Sequence, residues 1–437
     1  MASKKASASV STFNLAKNIV GAGVLSLPNG VAYFSDSPGA LIPANILLFL
    51  SGTISAYSFS LIGRACAQHK TSNFQDTWAK SVNPSTAKLI NGGITLMCFF
   101  TVLSYSIIIG DSFTGLARGF NLPHIVASRT NVILFMTTFA LFPLCSLENL
   151  SSLAPFSLLG LGGVLYTAIY MTMRFLKKDY LPGGTMFSLI SPSAQPIFEK
   201  RAGSFFSKKT FKLLSMLGTS YIAHFNAPKF YSELENPTIS RFNTVVGTAF
   251  MIAMFFFSLI MSVGFLTFGG NSMGLILNNY ASSDVGASFA RLAIGGAILT
   301  SYPFAFSAFV DGILDLQQVY GKNRSKLVKP YTIGLLTLVT VMALIFKDVG
   351  FVNGLSGALF GCLLLMVLPA LMNINNIQKK FATDIFGKPL TKGSYGLGNR
   401  MPIPFLSKVE SMLNCIMIPS GIALTIISVI VSVRGVI

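Results

Sequence analysis

The sequence predicts an all-helical integral membrane protein with about eleven transmembrane helices in a single domain. Three observations predict this fold class: 52% of the 437 residues are hydrophobic, only 11% are charged, and apolar stretches of roughly 20 residues recur along the chain. Such a stretch crosses a hydrocarbon core about 30 Å thick. Backbone groups inside that core find partners only within their own segment, so the long apolar runs are expected to be helices.

Hydropathy places the helices in order, after an N-terminal tail of residues 1–11 and within a transmembrane domain of residues 12–433. The fourth and ninth spans are the shortest. The predicted spans are residues 12–34, 41–62, 89–117, 132–147, 153–175, 211–231, 244–268, 287–313, 331–346, 349–372 and 412–433.

The charge of the chain indicates a lipid partner. The 32 Lys and Arg residues exceed the 14 acidic residues, giving a formal charge of +18, but they lie mostly between the apolar spans. Anionic lipid headgroups, and not nucleic acid, are therefore the expected partner of the basic residues. The basic loops favour a cytosolic N-terminus.

No catalytic or metal-binding pattern is found in the sequence. HExxH and Walker motifs are missing, and the five cysteines form no CxxC pair. We therefore expect neither an enzyme nor a metal site nor an organic cofactor. A channel would need a filter or a pore-lining ring of polar groups, and no such pattern is present.

Two spans carry interruptions at corresponding places, each at the start of a group of five helices. The first span has Gly21 and Gly23 near its middle and Pro28 further on, and the sixth contains the polar run 218–228 with His224. Paired interruptions in two halves of a chain are typical of a transporter binding site. The alternative is that the glycines only allow close helix packing.

An unwound turn in mid-membrane frees backbone N–H and C=O groups, and each unpaired group costs roughly several kcal/mol. A zwitterion satisfies both kinds of group. The N–H groups and positive helix end of the first interruption suit a carboxylate, and the carbonyls of the sixth suit an ammonium group.

Four stretches of the chain resemble the amino acid/auxin permease family, within the superfamily that shares the LeuT-type fold. They are FNLAKNIVGAGVLSLP at 13–28, SYSIIIGD at 104–111, His224-Phe-Asn226 followed by YSELENP at 231–237, and FLTFG at 265–269. Their order and spacing are similar to those of the family, and the number of spans agrees beyond the last motif.

The resemblance implies a five-plus-five inverted repeat with one extra helix, working by alternating access. Repeat one would cover about 12–175, repeat two about 211–372, and the extra helix about 412–433. The substrate would be a small amino acid, with neutral ones favoured, and the protein would be a monomer in a vacuolar, lysosomal or plasma membrane.

The resemblance also assigns residues to the site by position. Three residues of the first interruption would meet the α-carboxylate, four of the sixth would offer carbonyls to the α-amino group, and one aromatic residue of the third span would flank the pocket. These are Gly21, Ala22 and Gly23; Thr219, Ser220, Tyr221 and Ala223; and Tyr105.

Lys17 departs from the pattern of sodium-coupled relatives, which place an asparagine here beside the cation. Thr300 and Ser301 of the eighth span align with the hydroxyls of that cation site. A buried lysine changes its pKa readily and is able to load and release a proton. We therefore expect proton coupling or exchange, with sodium symport as the alternative. Lys17 could instead extend to the headgroups.

His224 and Asn226 are candidate proton-relay or gating residues, since imidazole titrates near neutral pH. His224 could equally hold the unwound turn in shape through hydrogen bonds. Two further ionisable residues are expected outside the site: Asp111 as a solvated acid and Arg291 at a lipid headgroup. A sensor that binds an amino acid without transporting it has the same sequence features.

Overall fold

The computed structural model describes residues 5–147, 157–198, 209–319, 321–381 and 404–434. Throughout these ranges the regular structure is helical, and the extended pairings are two isolated bridges, Ala6 with Leu234 and Ile197 with Gly269. The predicted all-helical fold is therefore confirmed.

The first half of the chain contains the helices of the first five predicted spans. The first span is split into two helices, and the fourth consists of two helices joined by a π-helical turn at Thr137–Leu141. The helices are α1 (Ala8–Ile19), α2 (Leu27–Phe34), α3 (Leu41–His69), α4 (Phe74–Ser81), α5 (Ala87–Gly119), α6 (Arg129–Met136), α7 (Phe142–Cys145) and α8 (Ser157–Leu176).

The second half, like the first, begins with a split span, and it adds a last helix. The sixth span is again split, and the tenth is joined by π-helical stretches at Gly357–Gly361 and Leu363–Val367. The helices are α9 (Thr210–Tyr221), α10 (Ala227–Glu233), α11 (Ile239–Phe268), α12 (Val285–Leu316), α13 (Gly321–Ile345), α14 (Val349–Ser356), α15 (Leu368–Phe381) and α16 (Phe405–Arg434).

Several helices extend past the predicted spans. Seven described helices are long and apolar enough to cross a membrane, and Arg129–Cys145 is a shorter apolar helix. Helix α1 starts at Ala8, where the Ser7 side chain accepts a hydrogen bond from Val10 N. Hydropathy detects the apolar middle of a helix and misses such capped polar ends.

The helices form two packed bodies. One, the bundle, contains the two split helices α1–α2 and α9–α10 together with α3 and α11; the other, the scaffold, contains α5, α6, α12 and α13. Glycines allow the close approaches. A Cβ on Gly63 of α3 would lie 2.1 Å from the ring of Phe242, and one on Gly295 of α12 would lie 2.8 Å from Phe113. Small residues at such crossings are the usual packing device in membranes.

We call the side of the molecule where α1 begins the N-side and the opposite side the far side. Asp284, the N-cap of α12 on the far side, has a fully buried side chain. It accepts hydrogen bonds from Arg174 Nη2, Tyr170 and Tyr180, each at 2.8 Å. These bonds connect α8, the loop after it and α12.

The electrostatics of Asp284 make this connection resistant to mild acid. Burial alone would raise the pKa of Asp284, but the hydrogen bonds from Arg174, Tyr180 and Tyr170 outweigh it and hold the pKa below its ordinary value. A lowered pKa in the folded state stabilises the protein above the unfolded-state pKa, and this contribution is lost only as the pH falls through the folded pKa.

Candidate functional site

The first span is broken at Val20 and Gly21, which we call the first break. Helix α1 ends at Ile19, Gly21 is extended (φ −95°, ψ −172°), and a 3-10 turn follows at Ala22–Ser26. The N–H groups of Ala22 and Gly23 open that turn, so they have no acceptor within it. Space is available beside them, since a Cβ on Gly21 would meet only Ile19 O, at 4.0 Å.

The sixth span is broken at Ile222 and Ala223, the second break. Helix α9 ends at Tyr221, Ile222 is extended (φ −67°, ψ 108°), and a 3-10 turn covers His224–Asn226. Pro228 then lies in the first turn of α10, where its missing N–H is tolerated. The carbonyls of Ser220 and Tyr221 lie in the last turn of α9 and have no intrahelical donor.

The two breaks are adjacent. A Cβ on Gly23 would lie 3.4 Å from Ser220 Oγ and 3.7 Å from Ser220 Cα. The turn that follows the first break therefore lies against the last turn of α9, which precedes the second. Both breaks that the sequence predicts are confirmed, and they lie in contact.

A buried polar cluster that sequence reasoning missed lies on the far side of the breaks. Asn353 of α14 donates to Ser26 Oγ (3.2 Å) and accepts from Ser104 Oγ (2.8 Å), and its backbone carbonyl accepts from Thr219 Oγ1 (2.5 Å). We call these four residues the Asn353 cluster. It joins both split helices to α5 and α14. The available signal was an asparagine inside an apolar span, which is costly unless it is paired.

Tyr105 follows Ser104 and lies next to this cluster. Its ring centroid is 6.4 Å from that of Tyr302, whose hydroxyl pairs with Ser106 Oγ at 3.0 Å. The Tyr105 side chain is partly buried, and no hydrogen bond of its hydroxyl is found within the described part of the chain. It is therefore free to contact a ligand.

The environment of Tyr221 differs from that of Tyr105. Its side chain is fully buried and points to α3, where its hydroxyl donates to Leu48 O at 3.2 Å. Of Tyr221, only the backbone carbonyl is left for a ligand at the break. Ala223 is also fully buried.

Lys17 lies between α8 and α12. A Cβ on Gly160 would lie 3.7 Å from Lys17 Cε and 3.7 Å from Ala297 Cβ. Thr300 Oγ1 donates to Ala297 O at 3.0 Å, so Thr300 and Ser301 are one turn along α12 from this contact. No hydrogen bond or ion pair of Lys17 is found among the described residues. The structure thus brings Lys17, Thr300 and Ser301 to one region.

His224 and Asn226 contact other residues. The fully buried His224 donates from Nε2 to Ser55 O (3.1 Å), and Ser58 Oγ lies 2.9 Å from the same nitrogen. These bonds hold the second break against α3. Asn226 Nδ2 instead donates to Asn18 Oδ1 at 3.3 Å, linking the two split helices on the N-side.

Most of the chain matches the model of one protein family. Residues 4–385 match the family model described as transmembrane amino acid transporter protein. The chain belongs to the transmembrane amino acid transporter family. Relatives of this kind are membrane transporters and not enzymes.

Named relatives of this family member cover most of its length. A Mus musculus protein provisionally described as sodium-coupled neutral amino acid transporter 11 is 23% identical, over 84% of this chain and 77% of that protein. Vacuolar amino acid transporter 7 of Saccharomyces cerevisiae is 26% identical, over 69% and 57%. Vacuolar amino acid transporter 5 of Schizosaccharomyces pombe is 27% identical, over 67% and 66%.

A solved structure shares the fold of this family member. It is described as the substrate-bound outward-open state of a Na⁺-coupled sialic acid symporter, and it covers 97% of this chain and 89% of that chain with a TM-score of 0.51. Since the identity is 12%, the likeness concerns the fold alone. It supports the LeuT-type arrangement of an integral membrane protein.

Proposed function

We propose that this chain is a secondary active amino acid transporter that binds its substrate between the two breaks and works by alternating access. One observation carries the proposal: Gly23 and Ser220, from two different split helices, lie close enough for a Cβ on the glycine to approach the Ser220 hydroxyl to 3.4 Å. The paired breaks therefore form one polar site in the middle of an apolar fold.

The chemistry of the site suits a zwitterion. N–H groups at the start of the 3-10 turn have no intrahelical acceptor and favour a carboxylate, while the carbonyls at the end of α9 favour an ammonium group. Leaving these groups unpaired at mid-membrane would cost roughly several kcal/mol each. An amino acid in this position satisfies both ends at once.

A neutral side chain fits this site best. The described side chains next to the breaks, in the Asn353 cluster and at Tyr105, are hydroxyls and an amide. Such groups neither pair with a basic substrate nor neutralise an acidic one. We therefore favour small and medium neutral amino acids as substrates.

Alternating access would be a movement of the bundle against the scaffold. Both split helices belong to the bundle, whereas α5 and α12 belong to the scaffold, so the substrate site lies along the boundary between the two bodies. In this proposal the Asn353 cluster closes the far side. Opening that side would break its hydrogen bonds to Ser26 and Thr219.

Coupling would run through Lys17. Its side chain lies near Gly160 of α8 and Ala297 of α12, one turn along α12 from Thr300 and Ser301, and in this proposal its ammonium group would take the place of a sodium ion. A lysine side chain is able to carry a proton into and out of the site, which is the basis for proposing proton coupling or exchange. Sodium symport is the second candidate, because one relative carries that description and two hydroxyls remain beside Lys17.

Counterflow tests transport itself. Purified protein in liposomes preloaded with an unlabelled neutral amino acid should accumulate the labelled form, without any imposed ion gradient. Binding of the amino acid without exchange across the bilayer would contradict transport and indicate a sensor on the same scaffold.

Lys17→Asn tests the coupling. We expect uptake by the wild type to respond to an imposed pH gradient and to ignore sodium, and uptake by the variant to lose its pH response. Lys229→Asn is the matched control, since it removes an exposed lysine from the other split helix. A pH response that survives in Lys17→Asn, or a sodium requirement in the wild type, would refute proton coupling through Lys17.

The membrane and the orientation belong to the same proposal. The vacuolar relatives support a vacuolar or lysosomal membrane, and the distribution of basic loop residues favours an N-terminus in the cytosol. A protease-accessible N-terminal tag on intact vacuoles would support this orientation, and a protected tag would contradict it.

A further inference from the structure

A second polar cavity, separate from the two breaks, lies at the far-side end of α5. Its volume is about 400 Å³, and it is lined by the last turns of α5, the start of α6, residues 189–194 and residues 273–282. Along α5, Asp111 at its edge is seven residues beyond Ser104, which is about 10 Å of helix. The cavity therefore does not overlap the Asn353 cluster.

The charges that line this cavity do not balance. Arg118, Arg129 and Arg291 contribute three positive charges, and Asp111 is the one acidic residue among the described lining residues. Arg129 Nε donates to Asp111 Oδ1 at 2.7 Å, so that negative charge is already paired. Arg118 is exposed at the rim. The remaining excess of positive charge favours an anion.

The sequence predicts that Arg291 lies at a lipid headgroup, but in the structure it lines this cavity. It is 3% exposed and donates to three backbone carbonyls, those of Leu277 (2.9 Å), Tyr280 (2.7 Å) and Ala281 (3.3 Å). Carbonyls fix the guanidinium in position but do not neutralise it. Its buried Nε has no acceptor among the residues that the structure describes.

Gly115 provides the room that Arg291 occupies. A Cβ at this position would lie 2.8 Å from both Cδ and Nε of Arg291. Real contacts of a Cβ are essentially never this short, so any other residue would displace the guanidinium. The placement of Arg291 in the cavity thus depends on a glycine in the facing helix.

Two further buried donors in the cavity are also unused. Arg129 donates from Nη1 to Ala343 O at 2.9 Å, but its Nη2 has no acceptor within the described ranges. The buried hydroxyl of Thr114 also has no hydrogen-bond partner among the described residues. Asp111 is not the solvated acid expected from the sequence, since its second oxygen accepts from Asn278 Nδ2 at 2.9 Å.

We infer that this cavity is a second binding site, specific for a carboxylate. Thr114, Arg129 and Arg291 line one space that carries excess positive charge, and each of them has a buried donor without a partner among the described residues. A guanidinium N–H gives a carboxylate a charge-assisted hydrogen bond, which is stronger than a bond between neutral groups. The carboxylate belongs either to a small free acid or to the amino acid substrate itself, bound here before it reaches the breaks.

Radiolabelled acetate is the probe for the site. The purified full chain in nanodiscs of zwitterionic lipid should bind it saturably, measured by scintillation proximity. We expect the affinity to fall at least tenfold in Arg291→Gln and about threefold in Thr114→Val. Lys88→Gln removes one positive charge from the opposite end of the same helix and should leave binding unchanged. Unlabelled substrate that displaces acetate would identify the substrate as the source of the carboxylate; failure to displace it identifies a free acid.

Two results would overturn the inference. In the first, the wild-type protein binds no acetate saturably, although a cooperative unfolding transition shows that it is folded. That result would mean that water alone fills the cavity. The other is wild-type affinity in the cavity variants. If Arg291→Gln fails to fold, acetate binding by Thr114→Val and Gly115→Ala tests the inference instead. Thr114→Val keeps the Arg291 guanidinium in place, and Gly115→Ala only displaces it. Failure of acetate binding here would leave counterflow through the breaks unaffected.

Discussion

The two breaks of this transporter are built in different ways. The first is made by glycine and has open space beside it, since a Cβ on Gly21 would meet nothing closer than 4.0 Å. The second contains no glycine and is held from outside, because His224 is bonded to Ser55 and Ser58 of α3. One break is therefore free to adapt to a ligand, and the other is fixed.

This difference gives each break its own role in the proposed mechanism. The first break presents its N–H groups to the substrate and is able to change shape as the bundle moves. The second break keeps its carbonyls at a constant position against α3. The Asn353 cluster joins the two on the far side, through Ser26 and Thr219. The predictions below separate these three parts.

The largest effect is expected from filling the contact between the breaks. Gly23→Leu would drive a side chain into Ser220, whose Oγ is only 3.4 Å from the position of a new Cβ. We expect counterflow to fall about 100-fold, or about 2.8 kcal/mol at 1.4 kcal/mol per tenfold change. The measurement is counterflow at equal amounts of reconstituted protein.

Gly21→Ala is the matched control for that change. Gly21 has a negative φ of −95° and open space around its Cβ direction, so alanine fits without strain. Transport should stay within about threefold of the wild type, which corresponds to about 0.7 kcal/mol. Equal losses in both glycine variants would mean that the contact with Ser220 does not define the site.

The next largest effect concerns stability. His224→Ala removes the buried ring and leaves the Ser55 carbonyl and the Ser58 hydroxyl with one fewer partner, while opening a cavity beside Phe59. We expect the free energy of unfolding to fall by about 2–3 kcal/mol. Thermal unfolding in detergent measures it.

Ser58→Ala calibrates that result, because it removes one hydrogen bond and keeps the ring. A loss of about 1 kcal/mol is expected. If His224→Ala were no less stable than the wild type, the second break would not be held by α3, and the contrast between the two breaks would be lost.

A smaller effect is expected at the far-side connection. Asn353→Ala removes the bonds to Ser26 and Ser104 but keeps the backbone carbonyl that accepts from Thr219. We expect the far side to open more often and a cysteine placed at Ser220, which lies at the breaks and outside the cluster, to react about tenfold faster with a membrane-impermeant thiol reagent, a change of about 1.4 kcal/mol. An unchanged rate would show that this cluster does not close the far side.

The smallest effect is expected on the N-side. The bond from Asn226 to Asn18 is 3.3 Å long and exposed, so water replaces it easily. Asn226→Ala should change stability by less than about 0.5 kcal/mol and transport by less than about twofold. A large loss of transport would give Asn226 a direct role in gating or proton transfer.

The fold was largely predictable because a bilayer permits few structures. Length and polarity fix where a helix crosses, and the sequence marks both breaks, one by Gly21 and Gly23 and the other by the polar run around His224. Helix ends were less predictable. Ser7 caps α1 well before the apolar run begins, and a cap depends on one local hydrogen bond.

The site was predictable only in part. The contact between the two breaks could be expected from two related halves of the chain. The hydrogen bonds of Asn353 could not, because its partners Ser26, Ser104 and Thr219 come from three other spans. Arg291 was misplaced for a similar reason. Its burial depends on Gly115 and on loop carbonyls, and hydropathy contains no information about either.

Protection of Ser220 by substrate tests the central claim, that the two breaks together hold the amino acid. Ser220→Cys is placed in a background lacking the five native cysteines, and its labelling by a small thiol reagent is timed with and without substrate. The account predicts at least fivefold slower labelling with a transported amino acid and no change at a cysteine replacing exposed Lys229. Equal labelling rates at position 220, in protein that performs counterflow, would contradict it.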